Sequence, residues 1–153
     1  MKIKQQKDIK KFLDNEFGED KENEIFSSQD KILDGLIKNI QDKSENQRKT
    51  LMQTILPRIA LFKAMQKTDL SEDEVYQHIK KYMMDIVATK KHALLVKMEK
   101  IPRFYTLYRK IFLQVVKKTD LWESTQESGK DYFDVTMKKC LWHTACKEND
   151  CPH

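Results

Sequence analysis

Residues 47–67 read QRKTLMQTILPRIALFKAMQK, and their pattern decides the fold class. Apolar side chains recur every three or four residues, the spacing that places them on one face of an α-helix. These positions are Leu51, Ile55, Ile59 and Phe62. Pro57 lacks a backbone N–H and crowds the preceding turn, so we expect a kink or break near Leu56. The stretch therefore predicts a long helix with one buried face and an interruption near its middle.

Helical spacing continues on both sides of this stretch. In residues 27–42, SSQDKILDGLIKNIQD, apolar residues again share one face, and Ser27 or Ser28 is placed to cap the first turn. Residues 71–74, SEDE, form a capping box, in which the side chains at its two ends each accept a hydrogen bond from the other's backbone amide. We expect a helix to begin there, with a bend or a join between two helices at residues 88–92. Pro102 suits the first turn of a further helix.

One segment near the C-terminus breaks the helical pattern. Phe133, Val135 and Met137 alternate with polar residues, which predicts a strand with one face on the core, and Gly129 is the expected turn before it. Residues 117–133 are mostly polar and show no regular spacing of apolar residues, so no second strand is predicted. We expect a mainly α fold, a helical domain with one short C-terminal strand that lacks an obvious partner. An unpaired edge recruits other chains, so residues 132–139 are predicted either to form a homodimer or to lack order.

Length and composition restrict the protein class. A chain of 153 residues with 39% apolar and 35% charged residues suits a single domain over residues 1–153. No apolar run approaches the roughly 20 residues of a membrane span, and the N-terminus reads as neither signal nor anchor. An odd count of three cysteines fits reduced thiols and a cytoplasmic location. The net charge of +5 comes mostly from lysines without a nucleic-acid-binding motif, so no nucleic-acid partner is expected.

The last fourteen residues, CLWHTACKENDCPH, gather all three cysteines and two of the four histidines. They allow a metal site, a cysteine nucleophile beside a histidine base, a local disulfide, or simple buried thiols. The spacing CxxHxxC lacks the paired CxxC of structural zinc sites, so we expect no metal and no other cofactor. Imidazole near a thiol raises its thiolate fraction, which makes Cys140 and His143 a reasonable catalytic pair.

Four segments in order resemble the L-2-amino-thiazoline-4-carboxylic acid hydrolase family over about residues 50–153. They are ILPRIALFKAMQK, LSEDEVYQHI, IPRFYTLYRKIF and FDVTMKKCLWHTACKENDCP. The resemblance implies an α+β fold in the intact family and hydrolytic opening of a cyclic amidine, a thiazoline, to an N-carbamoyl cysteine. Cys140 falls where the family has a cysteine at a strand end, which makes it the candidate nucleophile. We add His143 as the base and Trp142 as an apolar wall for substrate.

The family pattern continues beyond the point where this chain stops, so we expect the chain to lack a C-terminal part of the family domain. Intact relatives are expected to hydrolyse a C–N bond in a small cyclic amidine or amide. The alternative is a noncatalytic helical module that binds another molecule.

Overall fold

The computed structural model describes residues 3–118, 120–129 and 132–151. Two of the helical runs contain a π-helical segment, Leu51–Ile55 between α3 and α4 and Tyr82–Ala88 between α5 and α6. The elements in chain order are α1 (Lys4–Glu16), α2 (Glu19–Lys38), α3 (Glu45–Thr50), α4 (Leu56–Met65), α5 (Glu72–Lys81), α6 (Thr89–Met98), α7 (Phe104–Lys118), β1 (Trp122–Ser128), β2 (Phe133–Cys140) and α8 (Leu141–Glu148). The predicted mainly α fold is confirmed.

α4 is the central helix of the core. Eight of its ten residues are buried, so it is surrounded by neighbours and does not lie on the surface with one apolar face. It packs along α2 and also contacts α1 and α5, while α1 packs on α2 and on the second π-helical segment. Full burial of a leucine or isoleucine stabilises the fold by about 1.5–3 kcal/mol, so this helix carries much of the core's free energy.

Pro57 does not break the helix, contrary to one of the two outcomes predicted for Leu56. The helical run continues, with the π-helical segment Leu51–Ile55 before the proline and Pro57 in the first turn of α4. In an α-helix the carbonyl of Gln53 would accept from the N–H of residue 57, which proline lacks. The side-chain amide of Gln5 donates instead to the carbonyls of Gln53 (2.9 Å) and Thr54 (3.2 Å), which ties α1 to this segment.

Three predicted helix boundaries differ from the structure in detail. α2 begins at Glu19, so Ser27 and Ser28 lie inside the helix and cap nothing. Acidic residues in the first turn of α2 favour this earlier start because they complement the helix dipole. The bend or join predicted for residues 88–92 falls where the second π-helical segment passes into α6 at Thr89, and α7 begins two residues after Pro102.

The capping box at the start of α5 is confirmed. Ser71 Oγ accepts from the amide of Glu74 (3.3 Å), and Glu74 Oε2 accepts from the amide of Ser71 (2.8 Å). Two donors that the helix itself leaves unpaired are thus satisfied.

The prediction that β2 lacks a partner is wrong, because β1 pairs with it in an antiparallel hairpin. β1 reads WESTQES, in which half-buried and exposed positions alternate, but only Trp122 among the inward positions is apolar. The alternation of half-buried and exposed positions in β1 therefore does not show as an alternation of apolar and polar residues. Gly129 lies in the connection as predicted, and its amide donates to the carbonyl of Tyr132 (3.1 Å). Dimerisation through residues 132–139 stays a prediction.

Asp120 fastens the start of the hairpin to the N-terminus of α3. Its carboxylate accepts from the Ser44 hydroxyl and from Asn46 Nδ2 (2.8 Å), and its backbone carbonyl accepts from Gln47 Nε2 (2.9 Å). The hydrogen bonds from Ser44 and Asn46 lower the pKa of the Asp120 carboxyl. Ser44 also caps α3, so one polar cluster begins the helix and holds the hairpin.

Within the described residues, no helix is both long and apolar enough to cross a membrane.

Candidate functional site

A β-bulge determines which way Cys140 faces. Glu123 pairs with Lys139 and Ser124 pairs with Met137, so Lys138 is an extra residue in β2. Cys140 lies opposite Trp122, which shares a face with Ser124 because alternate residues of a strand point the same way. The bulge therefore returns Cys140 to the face of Met137, from which regular alternation would have turned it away.

Cys140 ends β2 and is the residue before the first turn of α8. Its backbone is extended, and the next amide, of Leu141, donates to the carbonyl of Leu121 (2.8 Å), which fixes the junction between strand and helix. The Cys140 side chain is half-buried, whereas His143 is exposed. His143 occupies the third position of α8, the position whose side chain reaches back to the residue before the helix in a capping box.

Trp142 lies in an apolar cleft of about 300 Å³ between α4, α5 and α8, which we call the α8 cleft. The cleft is lined by Arg58, Ile59, Phe62, Tyr76, Ile79, Met83, Trp142, Cys146 and Cys151. Trp142 therefore lies at the wall of a cavity, and its contact with substrate stays a prediction. Cys140 is not among the lining residues, but it lies close enough to Cys146 to affect the pKa of that thiol.

Arg58 is the one basic side chain among the residues that line the α8 cleft. Its guanidinium lies over the Trp142 ring, 5.0 Å from the ring centre, and its Nε donates to Gln5 Oε1 (3.1 Å). It also forms a hydrogen bond with the side chain of Tyr82, which is only 1% exposed. Because Gln5 also donates to the carbonyls of Gln53 and Thr54, the π-helical segment helps to orient Arg58.

Sequence reasoning missed Arg58, Gln5 and Tyr82. The signal that was available is the single charge in the otherwise apolar run LPRIALF, which contains the buried centre of the core. A charged side chain in such a run needs a specific reason to remain there, because burial of a charge is costly unless it is paired. Nothing in the order of residues 5, 58 and 82 shows that they meet.

The three cysteines differ in environment, and all are free thiols. Burial raises the pKa of Cys151 to about 11. Burial also raises the pKa of Cys146; the nearby Cys140 adds to this rise, and a hydrogen bond with Trp142 opposes it. Cys146 and Cys151 are therefore protonated at neutral pH, and they line the α8 cleft as uncharged thiols.

In the described part of the chain, no three His, Cys, Asp or Glu side chains come together as metal ligands, and His153 lies outside it.

A second, larger cleft of about 570 Å³ separates the hairpin and α8 from α2 and α3. Lys139 and Leu141, the neighbours of Cys140, line this cleft, as do Asp120 and Trp122. Cys140 itself lines neither cleft, but residues next to it in the chain line the larger cleft and Trp142 lines the α8 cleft.

We predict that a small alkylating reagent such as iodoacetamide labels Cys140 before the other two cysteines at pH 8. The thiolate reacts, and the thiolate fraction of Cys151 is about a thousandth when its pKa is about 11. Burial also hinders access to Cys146 and Cys151, whereas Cys140 is half-buried. Time-resolved peptide mass spectrometry measures the three rates. Equal rates at all three positions would show that Cys140 has no distinct environment.

Comparison with known proteins identifies one family. A sequence model described as L-2-amino-thiazoline-4-carboxylic acid hydrolase matches residues 47–153, more than half of the chain. The match begins in α3 and includes Arg58, the hairpin and α8, and it confirms the resemblance found in the sequence. No curated protein and no solved structure matches the chain.

Proposed function

The chain belongs to the L-2-amino-thiazoline-4-carboxylic acid hydrolase family, and on this basis we propose that it opens the ring of a small thiazoline-type amidine with Cys140 as nucleophile. The observation that carries the proposal is the position of Cys140, at the bulged end of β2 and directly before α8. Bulges that redirect one side chain are frequent beside active sites. Free thiols of this kind also suit the reducing cytoplasm, where we place the protein.

Each group at the junction has a chemical role in this proposal. His143 takes the proton of the Cys140 thiol, and the thiolate attacks the amidine carbon. The electron pair of the C=N bond moves to the ring nitrogen, which receives the proton from the His143 imidazolium. The N-terminus of α8 begins directly after Cys140, so the positive end of the helix dipole lies beside the attacking sulfur. Trp142 forms an apolar wall for the ring.

The bond that breaks follows from the product. In N-carbamoyl cysteine the nitrogen still carries the former amidine carbon and the sulfur is free, so the ring carbon–sulfur bond is cleaved. His143 then takes a proton from the amino group and passes it to the ring sulfur, which leaves as a thiol. A C=N bond forms to the amino nitrogen, and the carbon stays attached to Cys140 as an isothiourea. Water then adds to that carbon, the Cys140 sulfur is expelled as a thiol, and the urea is released. Cleavage of the C–N bond, as expected from the sequence, would instead give an S-carbamoyl product with a free amine.

The proposal predicts that the purified chain releases one thiol for each molecule of 2-amino-2-thiazoline-4-carboxylate consumed. A thiol reagent added to quenched samples measures the release, and chromatography measures loss of substrate. Substrate loss with release of an amine and no thiol would replace carbon–sulfur cleavage by carbon–nitrogen cleavage. No loss of substrate above the rate in buffer would contradict the proposed reaction for this chain.

A specific surface favours the second candidate, a noncatalytic binding module. The turn before α7 and the helices on either side of it expose many large apolar side chains, and α6 buries no residue. The exposed residues are Leu94, Leu95, Val96, Ile101, Tyr105, Leu107, Tyr108 and Ile111. Exposed apolar patches of this kind mark interaction sites in soluble proteins. A chain that binds a partner through this surface and leaves the thiazoline unchanged would support this candidate.

A further inference from the structure

Arg58 is a half-buried cation that has no carboxylate partner among the described residues. Every ion pair of the described residues involves a lysine or His78, and none includes Arg58. Asp8 lies close enough to Tyr82 to affect its pKa, but its carboxylate is bound by Lys90 at 2.6 Å. A partly buried charge without a counter-ion is costly in free energy, and a ligand of opposite charge removes that cost.

The two side chains that hold Arg58 do not neutralise it. Gln5 is an amide, and Tyr82 stays protonated because burial raises its pKa to about 12, although the nearby Arg58 charge lowers it. Both residues accept hydrogen bonds and so orient the guanidinium. A guanidinium has five N–H donors, so it retains donors beyond those used by these two partners. Arg58 is therefore fixed in place, charged and able to bind a further acceptor.

The surroundings strengthen any ion pair formed at Arg58. The α8 cleft is lined mainly by apolar side chains, and at about 300 Å³ it lies at the lower end of the size range of small-molecule sites. The thiols of Cys146 and Cys151 are protonated and do not repel an anion. The Arg58 guanidinium lies over the Trp142 ring, and a guanidinium carries parallel N–H donors that match the two oxygens of a carboxylate.

We propose that the α8 cleft is a binding site for a small organic carboxylate, with Arg58 bound to the carboxylate and Trp142 beside the flat body of the ligand. The site follows from Arg58 and the cleft. Only the choice of a five-membered ring that contains nitrogen and sulfur rests on the proposed function. Under the proposed function, Arg58 selects substrates by their carboxylate and takes no part in the chemistry at the ring carbon.

Two flat probes that are not thiazolines, and so are not ring-opened, test the site in the full chain by calorimetry. They are 2-aminothiazole-4-carboxylate and 2-aminothiazole, which differ by the carboxylate alone. The wild-type chain is expected to bind the carboxylate at least about tenfold more tightly than the neutral probe, because a charge-assisted bidentate pair is lost with the carboxylate. Arg58→Gln is expected to remove this preference, and Arg58→Lys to keep part of it.

Arg109→Gln is the matched control, because it removes the same charge from an exposed position of α7 that does not line the cleft. It is expected to leave the preference unchanged. Equal affinity of the wild-type chain for both probes, no saturable binding of the carboxylate, or a preference that persists in Arg58→Gln would overturn the site. The two probes are compared on the wild-type chain, so this part of the test holds even if Arg58→Gln does not fold. Neither probe is hydrolysed, so the binding test does not depend on turnover. If the thiol-release assay fails but the carboxylate probe binds through Arg58, the carboxylate site is supported and the proposed reaction is not. If the chain turns over substrate but does not bind the probe, the carboxylate site is contradicted.

Discussion

Cys140→Ser is expected to lower the rate of thiazoline opening by about a thousandfold or more, because a serine hydroxyl at neutral pH is a far weaker nucleophile than a thiolate. Cys140 is half-buried and makes no side-chain cap to α8, so the substitution should leave the fold intact. The fall is therefore expected in kcat, with little change in the thermal midpoint. Thiol release under saturating substrate measures the rate, and circular dichroism measures the fold.

Lys147→Ser provides the control for this substitution. It introduces the same residue into α8, the helix that follows Cys140, at an exposed position that lines neither cleft. Activity close to that of the wild type is expected. If Cys140→Ser kept most of the activity, the thiol could not be the nucleophile, and its place at the strand end would be structural.

Tyr82→Ala is expected to cost about 3–5 kcal/mol of the free energy of unfolding, the usual result of removing a buried aromatic ring. The Tyr82 ring is almost fully buried and packs edge-on against Phe12, with ring centres 5.3 Å apart. Tyr82→Phe keeps this ring contact and removes only the hydroxyl that accepts from Arg58, so it should cost about 1 kcal/mol. Urea denaturation of the three proteins measures both values. Equal losses in the two variants would mean that the hydroxyl, not the ring, is what Tyr82 contributes.

The free energies of unfolding of the wild-type chain and of Tyr82→Phe are expected to differ in their dependence on alkaline pH. The pKa of Tyr82 is about 12 in the folded chain, above the ordinary value of 10.0. A raised pKa means that the Tyr82 hydroxyl holds its proton more tightly in the folded state than in the unfolded state. The protonated hydroxyl therefore contributes stability that is fully present below pH 10 and is lost as pH rises toward 12. The wild-type chain should therefore lose more stability than Tyr82→Phe over this interval. Parallel stability curves for the two proteins would contradict the assigned environment of the hydroxyl.

Local pattern was sufficient to predict the elements that depend on neighbours in sequence. The capping box at Ser71 and Glu74 needs only four residues, and the helical spacing around Ile55 and Ile59 needs only one helix. The π-helical segment before Pro57 was harder to predict, because proline removes one donor but does not specify what satisfies the carbonyl that loses it. Gln5 does so from another helix.

β1 was missed because its inward positions are mostly polar, so hydrophobic alternation carried no signal. Pairing through the backbone amides and carbonyls needs no such alternation. The bulge at Lys138 was equally hidden, although it decides which face Cys140 occupies.

Within the candidate site, Cys140 is a prediction from the sequence, whereas Arg58 is found only in the structure. Cys140 and Trp142 come from one short segment that resembles the family, and the structure places Trp142 in the α8 cleft. Arg58 is brought to that cleft by contacts with Gln5 and Tyr82, which lie in other parts of the chain. Such a cluster depends on tertiary packing, which no local period describes.

Covalent attachment of substrate to Cys140 tests the proposed chemistry most directly. The chain is mixed with 2-amino-2-thiazoline-4-carboxylate, quenched in acid during turnover, and digested. Residues 140–147, CLWHTACK, contain both Cys140 and Cys146, so fragmentation must locate the modified thiol. Attack by the thiolate predicts a mass increase equal to one whole substrate molecule on Cys140, because water has not yet been added. Turnover without any adduct on Cys140, at a rate that Cys140→Ser leaves unchanged, would contradict it.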